Sequence, residues 1–244
     1  MIRLGILETD VLYDDLRDDY GSYGMMFRRF FDELSTPLAK QLEYRHYQVT
    51  DLQLPQCIDE CDAWLITGSK SGVYDPLPWQ QPLADHARRC FDAGIPMLGV
   101  CFGHQFLAHN LGGHAGLSDQ GWGIGVRASK VINQPAWSQV HSSHIRLIYS
   151  HRDQVTALPP GATRLSGCGF CQNAAFNIDR RVLAFQGHPE FTPTYLRRLL
   201  PRRKDVIGSR YQRGMATVDV SNDSQLVGNW MLEFLNWSLV TQPG

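Results

Sequence analysis

One cysteine of the chain is placed where it can act as a nucleophile. Cys101 lies between Gly99 and Gly103, after an apolar run that begins at Met97 and before an amphipathic run that begins at His104. A strand, a tight turn and a helix in this order form a nucleophile elbow, in which small neighbours permit a strained turn. The positive end of the helix dipole favours the reactive thiolate. The alternative interpretation is a buried cysteine that only fills the core.

A histidine and a glutamate far downstream can complete such a site. His188 precedes Pro189, which biases it toward an extended conformation, and Glu190 follows two positions after the histidine. Because side chains two positions apart point to the same side of an extended chain, Glu190 can hold the imidazole in the tautomer that presents its other nitrogen to a thiol. A His-x-Glu pair alone is common and usually reflects surface polarity. The pair predicts catalysis only together with the cysteine motif.

The hydrophobic pattern predicts an α/β fold. Strands and helices alternate over the first 111 residues, which indicates a mainly parallel sheet covered by helices on both faces. The predicted strands there are residues 2–7, 42–49, 63–67 and 96–100, and the predicted helices are residues 25–34, 78–93 and 104–111. Residues 123–186 are mostly strand-like and predict an antiparallel extension of the sheet, before helices at residues 192–203 and 224–237. The segment of residues 10–24, which is rich in aspartate and tyrosine, is predicted to form a loop.

The predicted fold is flavodoxin-like, with a central mixed, mainly parallel sheet. We expect a single domain over residues 1–244, with a core of about residues 1–200 and a helical extension over about residues 201–244. Ligands of such sheets bind at the carboxyl ends of the strands. The loop that begins at Gly68 follows the third strand and Cys101 follows the fourth, so both are expected at that edge.

Composition narrows the range of partners. The net charge is −1 with no large cluster of basic residues, so nucleic acid is not an expected partner. No apolar run approaches the ~18 residues of a membrane helix, and the first residues lack the apolar stretch of a secretory signal. Six cysteines without an export signal predict a cytoplasmic location. The basic stretch of residues 197–204 is interpreted as a solvated helix face.

Three segments together resemble a known family. GVCFGHQ at residues 99–105, SHRDQV at 150–155 and QGHPEF at 186–191 are similar to the class I (triad-type) glutamine amidotransferases. The resemblance runs from about residue 2 to residue 200 and is strongest to the free-standing proteins related to the glutaminase domain of GMP synthetase. It implies Cys101 as the nucleophile, His188 as the base and Glu190 as the group that orients the histidine.

The resemblance also implies a set of binding groups around the nucleophile. The backbone N–H of Phe102 would be one oxyanion donor, and the loop at Gly68 and Ser69 would supply the other. Family members often have Gly-Gly-Pro in that loop, whereas this chain has Lys70 at the third position and keeps a backbone donor. The residues that would help to hold glutamine are Gln105, Ser150 and His151.

The implied chemistry is cysteine-dependent hydrolysis of a γ-glutamyl amide. Glutamine would give glutamate and ammonia through a γ-glutamyl thioester, with no metal and no organic cofactor. The chain has no G-x-x-x-x-G-K-S phosphate loop, so any amination by the ammonia needs a separate synthase subunit. One alternative is a stand-alone γ-glutamyl peptidase or hydrolase that acts on γ-glutamyl peptides or conjugates. Another is a regulatory subunit that binds without catalysis.

Two other cysteines have the spacing of a redox motif, but their position in the chain argues against a redox role. Cys168 and Cys171 lie within the strand-rich part of the chain rather than at the start of a helix, where low thiol pKa values arise. We therefore expect them to serve packing. A zinc site that combines them with Cys57 and Cys61 has loose spacing and no supporting histidine pattern. Trp122 is a candidate for the mouth of the substrate site.

Overall fold

The computed structural model describes residues 1–240 and contains a central sheet of nine strands with helices around it. The strands are β1 (Ile2–Glu8), β2 (Leu42–Gln48), β3 (Ala63–Ile66), β4 (Met97–Val100), β5 (His114–Leu117), β6 (Gly123–Val131), β7 (His144–His151), β8 (Asp153–Ala157), β9 (Thr163–Gly167), β10 (Ala175–Ile178) and β11 (Val182–Phe185). The α-helices are α1 (Asp14–Tyr20), α2 (Tyr23–Asp32), α3 (Gln80–Asp92), α4 (Phe102–Asn110), α5 (Pro193–Arg202), α6 (Lys204–Ile207), α7 (Tyr211–Met215) and α8 (Ser224–Val240).

The central sheet joins a parallel core to an antiparallel extension. Its order is β2-β1-β3-β4-β11-β10-β9-β6-β7. The first five strands pair in parallel and follow the flavodoxin-like order, whereas β10, β9, β6 and β7 pair antiparallel. Strands β5 and β8 form a separate antiparallel pair. The predicted α/β class, with its mixed sheet and antiparallel strand extension, is confirmed.

Helices cover both faces of the parallel core. On one face α2 and α8 pack on β1, β3, β4 and β11, and Trp230 of α8 is completely buried there. On the other face α3 and α4 pack against the alternate residues of the same strands, with Trp64 and Phe106 in that cluster. Because strands covered on both faces have no solvated side, β3, β4 and β11 are buried along their whole length. A third cluster joins α1 and α5 to β6 and β7.

The prediction of a loop over residues 10–24 is wrong, because α1 occupies part of this segment. Leu16 is fully buried, and two aspartates in the first turn suit the positive end of the helix dipole. Asp15 pairs with Arg202, and Asp19 pairs with Arg198 on α5. The basic face of α5, which we expected to be solvated, therefore contacts an acidic helix. This long-range charge pairing has no local signal in the sequence.

The last described helix is α8, which packs its apolar residues on the parallel core. The single-domain interpretation of residues 1–244, with an extension from about residue 201, stays a prediction, and residues 241–244 lie outside the described part. Within residues 1–240, no helix combines the length and the apolar character that crossing a membrane requires.

Candidate active site

Cys101 lies at a sharp turn between β4 and α4. Its backbone adopts φ 55° and ψ −102°, a conformation that a residue with a Cβ atom rarely takes. The two neighbouring glycines permit this turn because a side chain has no room at either position. A Cβ atom at Gly99 would lie 2.7 Å from the carbonyl oxygen of Gly103, and one at Gly103 would lie 2.1 Å from that of Ile66. The spacing of small residues thus produces the elbow geometry.

His188 is held by its backbone, its ring face and its Nδ1 atom. Its backbone N–H donates to the carbonyl oxygen of Ile148 at 2.8 Å. The ring of Phe191 stacks on the imidazole with a centroid distance of 3.8 Å and an angle of 7°. The Nδ1 atom lies 2.7 Å from Oε1 of Glu190, whose side chain is completely buried. This hydrogen bond leaves Nε2 for a partner on the other side of the ring.

The partner on that side is the Cys101 thiol. Gly68 packs against both residues: a Cβ atom there would lie 2.9 Å from Cε1 of His188 and 3.6 Å from Cβ of Cys101. Burial alone would lower the pKa of His188, but the charge of Glu190 and the interaction with Cys101 outweigh it and raise the pKa to about 10. The imidazole is therefore protonated at neutral pH beside the sulfur atom.

Three backbone N–H groups near Cys101 have no hydrogen-bond acceptor in the described part of the chain. Within residues 1–240, the N–H groups of Gly68, Ser69 and Phe102 donate to no other group, and the N–H of Phe102 belongs to the first turn of α4. Gly68 and Ser69 line a small cavity at Cys101, together with Ser150 and His188. These N–H groups are therefore candidates for the donors of an oxyanion hole.

The loop after β3 is fixed by the residues that follow β1. The backbone N–H of Lys70 donates to Oδ2 of the buried Asp10 at 2.8 Å, and Nζ of Lys70 lies 2.9 Å from the other carboxylate oxygen. The hydroxyl of Thr9 donates to the carbonyl oxygen of Gly68 at 3.2 Å. Lys70, which occupies the position where the family often has proline, thus anchors the loop through a charge pair.

A larger cavity of about 430 Å³ opens from Cys101. Gln105 lines it and donates from Nε2 to the carbonyl oxygen of Asp153 at 2.8 Å and to Oε1 of Gln186 at 3.0 Å. Trp122 also lines the cavity, as expected for a residue at the mouth of the site. These contacts fix the amide of Gln105 at the wall of the cavity.

His151 presents a neutral ring to the same cavity. Its Nδ1 atom lies 2.8 Å from the carbonyl oxygen of Asp153, and its buried Nε2 has no hydrogen-bond partner among residues 1–240. Burial lowers the pKa of His151 to about 3, and the positive charges of His188 and Arg127 act in the same direction. Since Nδ1 carries the proton, Nε2 is a buried acceptor.

Sequence reasoning missed Arg203. It follows the last residue of α5, and its Nη1 donates to the Oγ of Ser150 at 3.0 Å and to the backbone oxygen of the same residue at 3.2 Å. It lines both the small cavity at Cys101 and the larger one. Burial works to lower the pKa of Arg203, but Tyr23, Tyr13 and Cys101 outweigh it, so the pKa is raised. Within residues 1–240 no carboxylate forms an ion pair with this guanidinium.

The structure brings all of the predicted site residues to one edge of the sheet, beyond the carboxyl ends of β3, β4 and β11. Cys101 and His188 face each other, and Glu190 lies behind the histidine. The other predicted residues surround the thiol or line the larger cavity: Gly68, Ser69, Phe102, Gln105, Ser150 and His151.

Cys168 and Cys171 lie in the turn between β9 and β10. The backbone N–H of Cys168 donates to the carbonyl oxygen of Cys171 at 2.9 Å, and both side chains are free thiols. Burial raises the pKa of Cys171 to about 12, so this thiol is a poor nucleophile. In the described range 1–240 no three or more His, Cys, Asp or Glu side chains are grouped to hold a metal ion.

Comparison with solved structures defines the class of fold. A glutamine amidotransferase from Thermotoga maritima superimposes with a TM-score of 0.75 over 99% of both chains, at 19% sequence identity. Residues 27–204 match the family described as glutamine amidotransferase class-I. The chain belongs to this family, and the resemblance inferred from the sequence motifs is confirmed.

Three curated relatives show how widely the family varies. A Saccharomyces cerevisiae protein with glutamine amidotransferase in its name is 31% identical over 208 residues, which are 80% of this chain and 82% of the relative. Gamma-glutamyl peptidase 3 of Arabidopsis thaliana is 25% identical over 77% of this chain and 76% of the peptidase. The glutamine-hydrolyzing GMP synthase of Bordetella parapertussis is 32% identical over 154 residues, 59% of this chain but only 28% of the synthase.

Proposed function

We propose that the protein hydrolyses a γ-glutamyl amide through a thioester on Cys101. The observation that supports this most directly is the buried arrangement of Cys101, His188 and Glu190 at the elbow after β4. In this proposal Cys101 is the nucleophile, His188 transfers protons, and Glu190 orients the imidazole and stabilises its positive charge.

Each step follows from the positions of these groups. The thiolate of Cys101 attacks the γ-carbonyl carbon, and the negative charge on the oxygen is stabilised by the N–H groups of Phe102 and of the Gly68–Ser69 loop. Nε2 of His188 gives its proton to the leaving amine as the carbon–nitrogen bond breaks, which yields the thioester. A water molecule then loses a proton to His188 and attacks the thioester, and glutamate leaves as the thiolate is restored.

Arg203 is the group that we assign to the α-carboxylate of the γ-glutamyl unit. Its guanidinium faces the cavity beside Cys101 and has no carboxylate partner among residues 1–240. A guanidinium group is planar and permanently charged, and it can bind a carboxylate through two parallel hydrogen bonds. The hydroxyl and backbone oxygens of Ser150 fix the orientation of the Arg203 guanidinium group.

The Arg203→Met variant is expected to lower kcat/KM by about 10- to 100-fold, mainly through a higher KM. The reason is the loss of charge-assisted hydrogen bonds that the substrate forms before the chemical step. Steady-state kinetics over a range of substrate concentrations measure the effect, and Arg203→Lys should restore part of it. Arg197→Met, which removes an exposed charge paired with Asp219, is the matched control. An unchanged KM in Arg203→Met would refute the assignment.

Glutamine is the substrate that we propose first. In this proposal its ammonia passes to a separate synthase subunit; one relative is named a glutamine-hydrolyzing GMP synthase. The second candidate is a γ-glutamyl peptide or conjugate. Two observations favour it: the cavity of about 430 Å³ is within the range that accommodates drug-sized ligands, and a relative that covers three quarters of both chains is named a γ-glutamyl peptidase.

The experiment that separates these substrates uses the purified protein alone. Glutamine and a panel of γ-glutamyl dipeptides are supplied, and release of glutamate, ammonia and the free amino acid is measured. Turnover of glutamine supports the glutaminase, whereas turnover of peptides without glutamine moves the assignment to a peptidase. No turnover of either, together with no labelling of Cys101 by an electrophilic glutamine analogue, would favour a regulatory binding subunit.

A second prediction concerns the loop after β3. Asp10→Ala is expected to lower kcat by about 10- to 100-fold with a smaller change in KM, because the donors at Gly68 and Ser69 lose their anchor at Lys70. A displacement of about 1 Å in such groups can reduce the rate roughly 100-fold. Asp10→Asn retains the shape and one acceptor oxygen, so it should recover much of the activity. Equal kcat values for the wild type and Asp10→Ala would contradict this role.

A further inference from the structure

Another cavity, of about 280 Å³, lies beside the cavity of about 430 Å³ and is lined by several positive charges. Arg127 on β6, Arg213 on α7 and Arg210 just before α7 all line it. None of the residues that line it is acidic, and within residues 1–240 none of these arginines forms an ion pair with a carboxylate. We name this space the arginine cavity.

Positive groups that converge without a counter-ion repel one another. Burial lowers the pKa of Arg127; Cys168 and Tyr149 oppose this shift, whereas the charges of Arg213 and Arg210 add to it. Some exposed arginines elsewhere in this chain do have acidic partners, for example Arg197 with Asp219. An anion in the arginine cavity would remove this repulsion, because each guanidinium would then have an oppositely charged neighbour.

The cavity also has a wall that holds two of the three guanidinium groups, those of Arg127 and Arg210. The guanidinium of Arg127 lies over the ring of Phe170 at 3.9 Å from the centroid, and that of Arg210 lies 5.9 Å from the same ring. Nη1 of Arg210 donates to the backbone oxygen of Trp122 at 3.1 Å. Side chains held in this way lose less conformational freedom when a ligand binds.

The arginine cavity adjoins the catalytic cavity. Trp122 lines both spaces. On the other side, the ring of Phe170 contacts the ring of His151 edge-on, with centroids 6.0 Å apart. The positive charge of Arg127 also contributes to the lowered pKa of His151. An anionic group bound by the arginines would therefore lie one aromatic side chain away from the substrate.

We propose that the arginine cavity is a binding site for a carboxylate or phosphate group, formed by Arg127, Arg210 and Arg213. Guanidinium groups bind both anions with short, charge-assisted hydrogen bonds, frequently in pairs. The anion has two sources that fit this chemistry. It is either the far end of the molecule whose γ-glutamyl bond is cleaved, or a separate small anion that acts beside the substrate.

Calorimetric titration of the full chain with inorganic phosphate, at constant ionic strength, tests the site without any need for turnover. We expect saturable binding of one phosphate, weakened roughly tenfold or more in Arg213→Gln. Arg164→Gln is the matched control, since it removes the same charge from an exposed position on β9. Thermal unfolding of each variant verifies that the fold is retained. Absence of saturable binding, or equal affinity in the wild type and Arg213→Gln, would overturn the proposal.

A kinetic comparison then identifies the source of the anion; this part alone rests on the proposed hydrolysis. The substrates are γ-glutamylglycine and its C-terminal amide. If the protein prefers the free acid by roughly tenfold and Arg213→Gln removes this preference, the arginine cavity binds the carboxylate end of the substrate. If the acid and the amide are hydrolysed equally well and phosphate still binds, the arginine cavity binds a separate anion. A preference that persists unchanged in Arg213→Gln contradicts the substrate assignment.

Discussion

Replacing Cys101 by alanine is expected to reduce turnover of the γ-glutamyl substrate by at least about 10⁴-fold. The sulfur atom is the group that we assign to bond formation with the carbonyl carbon, and alanine has no nucleophile in its place. Backbone donors and substrate contacts remain, so binding of the substrate should persist. Release of glutamate, followed over hours, measures the residual rate.

A glycine at the same position separates the role of the sulfur atom from that of the backbone. The φ angle of 55° at Cys101 strains any residue with a Cβ atom, whereas glycine adopts it without strain. We therefore expect Cys101→Gly to be as inactive as Cys101→Ala but to have a free energy of unfolding higher by about 1 kcal/mol. Chemical denaturation of the two variants measures the difference. Activity retained in either variant would contradict the assigned nucleophile.

The second large effect is expected for Glu190→Gln, which should lower kcat by about 10³- to 10⁴-fold. The carboxylate accepts the hydrogen bond from Nδ1 of His188 and carries the charge that stabilises the imidazolium. A neutral amide keeps the size of the side chain but removes that charge. Since the side chain does not touch the substrate in our mechanism, KM should change much less than kcat. Comparable losses in KM and kcat would indicate a general disturbance of the site instead.

The same variant has a distinct pH signature. The pKa of His188 is about 10 in the folded protein and about 6.5 in the unfolded chain, so its contribution to stability is complete below pH 6.5 and declines as the pH rises toward 10. Glu190→Gln lowers the folded pKa and reduces this contribution. The difference in the free energy of unfolding between wild type and variant should therefore shrink from pH 6.5 to pH 10. A difference that does not change with pH would contradict the charge pair.

The sequence alone identified the groups whose positions depend on local rules. Gly99 and Gly103 signal the elbow because their small size permits close backbone approach at a fixed spacing around Cys101. Pro189 sets the conformation that brings His188 and Glu190 to the same side. Such features need only neighbouring residues, and for this reason the elbow and the His–Glu contact were predictable before their three-dimensional arrangement was known.

Features that depend on distant residues were not predictable in the same way. Helix α1 was expected to be a loop, because its charge partners lie on α5, far away in the chain. The short strand β5 was not predicted, because it pairs only with β8, outside the main sheet. Arg203 looked like one more basic residue in a charged run, and only the end of α5 turns it toward Cys101.

The central claim is that Cys101 forms the bond to the γ-glutamyl carbonyl carbon, and covalent labelling tests it most directly. The full-length protein is treated with an electrophilic glutamine analogue, and its mass and the modified peptide are determined. We predict one label per chain on Cys101, none in Cys101→Ala, and slower labelling in Glu190→Gln. Labelling of another cysteine, or no label on a folded protein that still releases glutamate, would contradict the account.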